Sequence, residues 1–263
     1  MNLRLDISYN GAPFHGFARQ PDVRTVQGDI ESALSKLLGY APITYGAGRT
    51  DAGVHALGQV MSVHDVPADL DLDKIKDSLN GMCAPFIAVN SCRLVDDQWH
   101  ARFSARSRTY VYAVLEAAVP DPFLATTTLW HSNPLDLDAM VEASGHLLGP
   151  RDFSSFGRVP EPGATAERNL FELSCERGDR ILRITARANA FIQQMVRSIV
   201  GTLVQVGEGR RSPDDIPSIL NARDRSAAGP VALPHGLCLV AVEYDDGWST
   251  PAAAVALARD GSV

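Results

Sequence analysis

The feature that most constrains this chain is an order of hydrophobic patterns that occurs twice. Leu3, Leu5, Ile7 and Tyr9 alternate with period two, as a strand with one buried face does, and Asn10-Gly11 then turns the chain. Thr25 stands as the N-cap of a helix with Val26, Ile30, Ala33, Leu34, Leu37 and Leu38 on one face, and Gly39 ends it. Residues 43–47 and 55–64 read as two strands separated by a glycine-rich turn. Leu72, Ile75, Leu79 and Met82 give a second helix, and residues 87–95 a closing strand. The order is βαββαβ, that of a ferredoxin-like unit.

Without obvious sequence identity, the second half repeats it. Residues 108–115 alternate as a strand, 136–148 form a helix stopped by Gly149, and 169–176 and 180–187 make a hairpin across Arg177-Gly178-Asp179. Phe191, Ile192, Met195, Val196, Ile199, Val200, Leu203 and Val204 mark an amphipathic helix, and residues 236–244 the last strand. An inserted helix is signalled by Ser212 as N-cap, Pro213 at its first position and Asp214-Asp215 in its first turn. Two such halves predict an α+β protein with a continuous, mostly antiparallel sheet, helices on one face and a central cleft between the halves. The expected boundaries are 1–105, 106–246 with the inserted helix, and an Ala-rich tail, 247–263, that reads as a frayed extension or short helix.

Composition limits the function classes. With 263 residues, 45% hydrophobic and 21% charged, the chain can bury one large core or two small ones and is not of disordered composition. The N-terminus has no basic segment followed by an apolar stretch, and no apolar run has membrane-spanning length, so a cytoplasmic protein is expected. Cys83, Cys92, Cys175 and Cys238 are far apart, form no Cys-x-x-Cys pair and read as buried free thiols instead of a metal site. A formal net charge of −7 argues against a polyanionic partner. The distribution softens this, because residues 180–225 hold eight arginines against four acids, whereas 61–79 hold five acids against two lysines. A basic groove on an acidic body fits. Arginine outnumbers lysine 21 to 3, which suits phosphate and base contacts, although genomic base composition gives the same bias.

The turn between the second and third strands is Tyr45-Gly46-Ala47-Gly48-Arg49-Thr50-Asp51-Ala52-Gly53-Val54-His55. Its counterpart in the second half is a plain hairpin, so this one has been elaborated. Its glycines permit left-handed angles and close approach of another chain, and such a loop can present a carboxylate. Asp-x-Gly is also ordinary turn chemistry. A nucleotide-binding loop is excluded: Gly46-x-Gly48 lacks the third glycine and any Gly-Lys-Ser/Thr, and leads into a strand.

Gly48-Arg49-Thr50-Asp51-Ala52-Gly53-Val54-His55 followed by Gly58-Gln59-Val60 resembles the signature of the A-class (TruA) family of tRNA pseudouridine synthases. Further stretches match that family in order: Tyr9-Asn10-Gly11-x-x-Phe14-x-Gly16-Phe17, Thr25-Val26-Gln27, His100-Ala101-Arg102-Phe103-Ser104-Ala105 and Arg108-x-Tyr110-x-Tyr112. So do Asp152-Phe153-Ser154-Ser155-Phe156, Ala188-Asn189-Ala190-Phe191, Met195-Val196-Arg197-x-Ile199-Val200-Gly201 and Gly236-Leu237-x-Leu239-Val240. The resemblance runs from about Leu3 to Tyr244. Asn10, where Asp is typical, and Gln193-Gln194, where His or apolar residues are common, depart from it.

The resemblance implies the pseudouridine synthase fold and conversion of uridine to pseudouridine at positions 38–40 of tRNA, on the 3′ side of the anticodon loop and adjoining stem. No cofactor and no metal are expected, since nothing is added to the substrate, and the seven histidines show no metal-ligand spacing. The expected partners are tRNA and a second copy of the chain, without membrane association. Asp51 matches the catalytic aspartate, which attacks C1′ or the base, or acts as a base in elimination. Arg197 matches the charge that favours its ionised form; its position on the polar side of a helix also suits a solvated arginine. Tyr110 matches the tyrosine against the target base; it would also suit an ordinary strand aromatic. Arg49 matches a residue that fills the space of an extruded nucleotide or binds its phosphate, with a turn salt bridge as its plain alternative. Leu239 matches the apolar floor of the base pocket, and Arg102, Arg106, Arg108, Arg210 and Arg211 are candidates for RNA backbone contact. His55 and His100 read as structural. The rival reading is a non-catalytic RNA-binding module on the same scaffold; the intact Asp51, Tyr110 and Arg197 set argues against it.

Phosphate contacts by a basic groove predict that tRNA affinity falls as salt rises, with log K linear in log salt. Titrations at several salt concentrations check this, and a flat response contradicts the groove.

Overall fold

The computed structural model describes residues 1–158 and 165–248. Two compact units divide them: one holds residues 1–106 and 238–248, the other 107–237.

In the first unit β1 (Asn2–Tyr9), α1 (Val26–Leu38), β2 (Ile43–Gly46), β3 (His55–His64), α2 (Leu72–Cys83) and β4 (Ile87–Val95) follow the expected order. The strands lie β4-β1-β3-β2, each pair antiparallel. Leu3 faces Val63 and Leu5 faces Met61, and with Ile7 they form a wholly buried apolar face. The buried stripes of α1, with Ile30 and Leu34, and of α2, with Ile75 and Leu79, supply the matching apolar surface. Thr25 Oγ1 accepts from the Gly28 amide at 3.2 Å, and Gly39 ends α1 in the left-handed region at φ 80°. Cys83, not Met82, completes the buried stripe of α2: Ile75, Leu79 and Cys83 recur every four residues, whereas Met82 stands 42% exposed.

The opposite face of β1 is polar. Arg4 is only 1% exposed, its guanidinium lying over Trp99 and Tyr244 at 5.4 and 4.6 Å. A charge so buried needs partners. Nε donates to Asp6 Oδ1 at 3.0 Å and Nη1 to Asp246 Oδ1 at 3.3 Å.

The second unit holds β5 (Ser107–Glu116), β6 (Leu129–His131), α3 (Leu137–Gly145), β7 (Gly149–Asp152), β8 (Glu167–Arg177), β9 (Ile181–Ala188), α4 (Met195–Gly207) and α5 (Asp215–Ala222). The order β5-β9-β8-β7 is antiparallel throughout, and β6 pairs parallel with the end of β5. Several boundaries differ from the sequence expectation. α3 stops at Gly145, and Gly149, at φ 83°, opens the short strand β7 instead of ending a helix. Phe191 and Ile192 precede α4, because Gln194 takes a left-handed conformation at φ 64° that a helix cannot continue through. α5 begins at Asp215; Ser212 Oγ accepts from the Asp214 amide and Asp215 Oδ2 from the Ser212 amide, so the expected capping residues hold a turn before the helix.

The chain then returns to the first unit. β10 (Leu237–Tyr244) pairs parallel with β3, Cys238 opposite His55 and Leu239 opposite Ala56, and β11 (Gly247–Trp248) pairs with β10. The expected boundaries group residues 238–246 with 106–237; by compactness they fall with residues 1–106. Residues 249–263 of the expected tail lie outside the described residues. The four cysteines are free, and burial pushes the thiols of Cys92 and Cys175 up to about 11 and that of Cys238 to about 12.

Among the described glycines of the second unit, the closest backbone approach is at α4. A Cβ on Gly201 would stand 1.8 Å from the Pro230 carbonyl oxygen, and Thr202 Oγ1 accepts from the Gly229 amide at 2.9 Å. Gly201→Ala is therefore predicted to lower unfolding stability by about 1–3 kcal/mol through overpacking. Gly81→Ala, in α2 with nothing within 4 Å of its Cβ, is predicted to raise it by about 0.5–1 kcal/mol. Urea unfolding of both variants checks the pair; equal effects contradict the close approach.

Candidate active site

Asp51 is half-buried in the connection from β2 to β3, and the residues around it are held far more tightly than their loop character suggests. Gln59 is the central support. It occupies a wholly buried position on β3, close to Ile7 across the sheet, where an unsatisfied amide would be costly. Its Nε2 donates to the Gly48 carbonyl at 2.9 Å and its Oε1 accepts from the Val60 amide at 3.1 Å. Tyr9, at the end of β1, shares a 2.8 Å hydrogen bond between its hydroxyl and Thr50 Oγ1. The Thr50 carbonyl accepts from the Phe17 amide at 3.1 Å, and the Asp51 carbonyl accepts from the Val54 amide at 3.2 Å. Every residue from Gly48 to Asp51 except Arg49 is thus tied to a buried strand or an adjoining segment.

Two glycines let the segment after β1 come this close. A Cβ on Gly11 would lie 2.0 Å from the Val54 carbonyl oxygen; at Gly16, where φ is 100°, it would meet the Thr50 oxygen at 3.0 Å. His55 Nδ1 accepts from the Gly11 amide at 3.1 Å, a bond that ties the two segments together. Asn10 departs from the resembled family's aspartate, yet its Oδ1 accepts from the Ala12 amide at 3.0 Å, a bond that an aspartate would make equally. Arg49 is exposed beside Asp51, and Leu239, 0% exposed on β10, stands next to β3 opposite Ala56. Asp51, Arg49 and Leu239 thus belong to the first unit.

Tyr110 and Arg197 belong to the second unit. Tyr110 is buried on β5 opposite Ala186, its ring edge-on to Phe191 with centroids 5.3 Å apart. Two residues on, Tyr112 is fully buried and its hydroxyl donates to the Leu233 carbonyl at 2.8 Å; burial raises its pKa. Arg197 is half-buried on α4, and its Nε donates to the Ala232 carbonyl at 2.7 Å. Tyr112 and Arg197 therefore grip consecutive carbonyls of one segment. The Ala232 amide in turn donates to the Arg197 carbonyl at 3.0 Å. Arg197 is not the freely solvated arginine that its helix position alone suggests.

The five candidate RNA-binding arginines have distinct surroundings. Arg102 is exposed over the Phe103 ring at 5.5 Å. Arg106 makes a bidentate pair with Asp245, both bonds 2.7 Å, and Arg210 bonds Glu208 at 2.9 Å. Arg108 is buried with Nη1 on the Asn189 carbonyl at 2.9 Å, and Arg211 Nε bonds Gln205 Oε1 at 2.7 Å. These bonds engage the side chains of Arg106, Arg108, Arg210 and Arg211, while Arg102 lies against an aromatic ring. The residues given no role in the sequence, Tyr9, Thr50 and Gln59, prove to be the frame of the Asp51 loop. A glutamine among the apolar residues of β3 was the available signal, since an amide buried there has to be bonded.

One family model, described as tRNA pseudouridine synthase, matches residues 7–104 and 143–245. Among curated relatives, tRNA pseudouridine synthase A of Paramagnetospirillum magneticum is 42% identical over 242 residues, 92% of this chain and 94% of that protein. The protein of the same name from Rhodopseudomonas palustris is 44% identical over 92% of this chain and 98% of its own length. That from Chromobacterium violaceum is 42% identical over 95% and 96%.

Tyr9→Phe removes one buried hydroxyl and leaves Thr50 Oγ1 without this partner. It is predicted to lower unfolding stability by about 1–3 kcal/mol and to speed hydrogen exchange in residues 48–54. Exchange mass spectrometry checks this; unchanged protection there contradicts the role of the Tyr9–Thr50 bond.

Proposed function

The chain belongs to the tRNA pseudouridine synthase family and is an isomerase of that class, and from that premise we propose Asp51 as its reacting carboxylate and the anticodon stem-loop of tRNA as its target. The 3′ side of the loop and the adjoining stem are the uridines assigned to it, in the cytoplasm and by a homodimer. The observation that supports the role of Asp51 is the frame of the 48–54 loop: a half-buried carboxylate whose neighbours are held on both sides by hydrogen bonds. A reaction at one carbon needs a positioned group, since misplacement by an ångström costs rate.

In the isomerisation the bond from C1′ to N1 breaks, the uracil turns, and C1′ bonds to C5. The C5 hydrogen leaves as a proton and N1 gains one, so nothing is added and no electrons are exchanged. An ionised Asp51 serves each of the three routes: attack on C1′, attack on the base, or removal of a ribose proton in elimination. Tyr110 is assigned to the face of the target base and Arg197 to charge compensation, and Leu239 to the apolar floor. Arg49 is assigned to the place of the extruded nucleotide, because a base in a duplex must leave the stack before it can react. Arg102, Arg106, Arg108, Arg210 and Arg211 are assigned to the RNA backbone.

Unmodified tRNA tritiated at uridine C5 tests this directly. The wild-type protein is expected to release tritium to water, and Asp51→Asn to lower the rate by about four orders of magnitude or more, as removal of a reacting group does. Equal release by Asp51→Asn and the wild type would exclude Asp51 as the reacting group.

A further inference from the structure

At the end of β3 remote from Asp51, four rings and a guanidinium gather on the first unit. β3 begins at His55, beside the Asp51 loop, and ends at His64; at about 3.3 Å per residue its ends are on the order of 30 Å apart. Tyr45 on β2 stands in register with Ser62. Its ring lies 4.7 Å from that of His100 at an interplanar angle of 34°, and His100 lies 4.5 Å from Phe103 at 41°. His64 meets Tyr45 edge-on at 5.1 Å. Arg102 projects over Phe103 yet leaves its ring mostly open, since Phe103 is 76% exposed and Tyr45 46%.

The rings are built in, not merely adjacent. Ser62, wholly buried beneath them, bonds His64 Nε2 at 3.1 Å, donates to the Tyr45 carbonyl at 3.4 Å and accepts from the Ala101 amide at 3.4 Å. His100 Nδ1 accepts from the amides of Arg102 and Phe103 at 3.0 and 3.4 Å, which fixes the turn that carries Phe103. An acceptor at Nδ1 is an unprotonated one, so this imidazole is neutral. Burial also lowers the pKa of His100 and of His64, against a raising effect of Asp65 on His64.

A neutral, preformed stack ending in an open phenyl face beside a guanidinium has few chemical fits. A metal does not suit it: His100 Nδ1 is already engaged, and among the described residues no three metal-ligating side chains gather. An unpaired nucleobase does, because every base has a flat face, an ordered ring loses little entropy on stacking, and arginine stacks on bases and pairs with phosphate. We infer that Tyr45, His100 and Phe103, flanked by Arg102, form a stacking platform for an unpaired nucleobase of the RNA substrate, away from the reacting uridine. The inference rests on the isomerase reading for the identity of the RNA.

Equilibrium binding of an unmodified tRNA transcript to wild type, Phe103→Ala and Phe103→Tyr tests it, with a blunt RNA duplex as control and thermal unfolding to verify folding. Phe103→Ala is expected to bind tRNA about 5- to 150-fold more weakly, the fold-change of one lost base stack. Phe103→Tyr should retain wild-type affinity, and the duplex should bind all three proteins alike. Unchanged tRNA affinity in Phe103→Ala overturns the platform, as does an equal loss for the duplex, or a loss that Tyr does not prevent. Tritium release by the wild type is followed in parallel: release with unchanged Phe103→Ala affinity removes the platform alone, whereas absence of release removes the isomerase reading and the platform with it.

Discussion

The buried amide of Gln59 is the constraint on which the candidate site depends. A glutamine wholly inside an apolar strand layer has to satisfy both ends of its amide, and it does so on the Gly48 carbonyl and the Val60 amide. The first bond draws the start of the loop onto β3. The Tyr9–Thr50 bond draws its middle onto β1, and the glycines at 11 and 16 let the intervening segment close over it. Polar groups buried on two inner strands therefore determine where a carboxylate ends up. What looks like a flexible glycine-rich turn is a preorganised one, which is the form that catalysis at a single carbon requires.

The same economy recurs elsewhere, with buried polar groups fixing segments that lack regular structure. Arg4 is held between Trp99 and Tyr244 and bonded to Asp6 and Asp246, so the end of β10 and the turn after it are anchored to β1. In the same strand Leu239 stands in register with Ala56. In the second unit Tyr112 and Arg197 take the carbonyls of residues 233 and 232, and the absence of a side chain at Gly201 lets Pro230 lie on α4. Each case trades a costly burial for a fixed backbone position.

Much of the fold was legible because it is written in local periodicity. α1 was readable from cap to cap, since Thr25 and Gly39 signal through chemistry that acts within one turn. β3 and β4 lie where the sequence placed strands, at 55–64 and 87–95. β7 was not, because a four-residue edge strand containing Pro150 has no pattern to show. The early start expected for α4 failed on one backbone angle at Gln194, which no side-chain periodicity encodes. The parallel pairing of β10 with β3 joins residues far apart in sequence, which local periodicity does not show. At the site, the resemblance pointed to Asp51 and the structure supplied its frame; the ring cluster at Tyr45, His100 and Phe103 joins residues distant in sequence and was invisible until the chain was folded.

The most direct test of the central idea, that the 48–54 loop presents Asp51 ready-made to an extruded uridine, is a crystal structure of the Asp51→Asn protein with an unmodified anticodon stem-loop bound. The target uridine should be out of its stack, with its ribose C1′ or its ring within about 4 Å of the residue 51 side chain. The Gly48, Thr50 and Tyr9 bonds should be intact, with the loop backbone within about 1 Å of its free position. A target base still stacked in the RNA, or a loop that has left Gln59 and Tyr9 to reach it, would contradict this account.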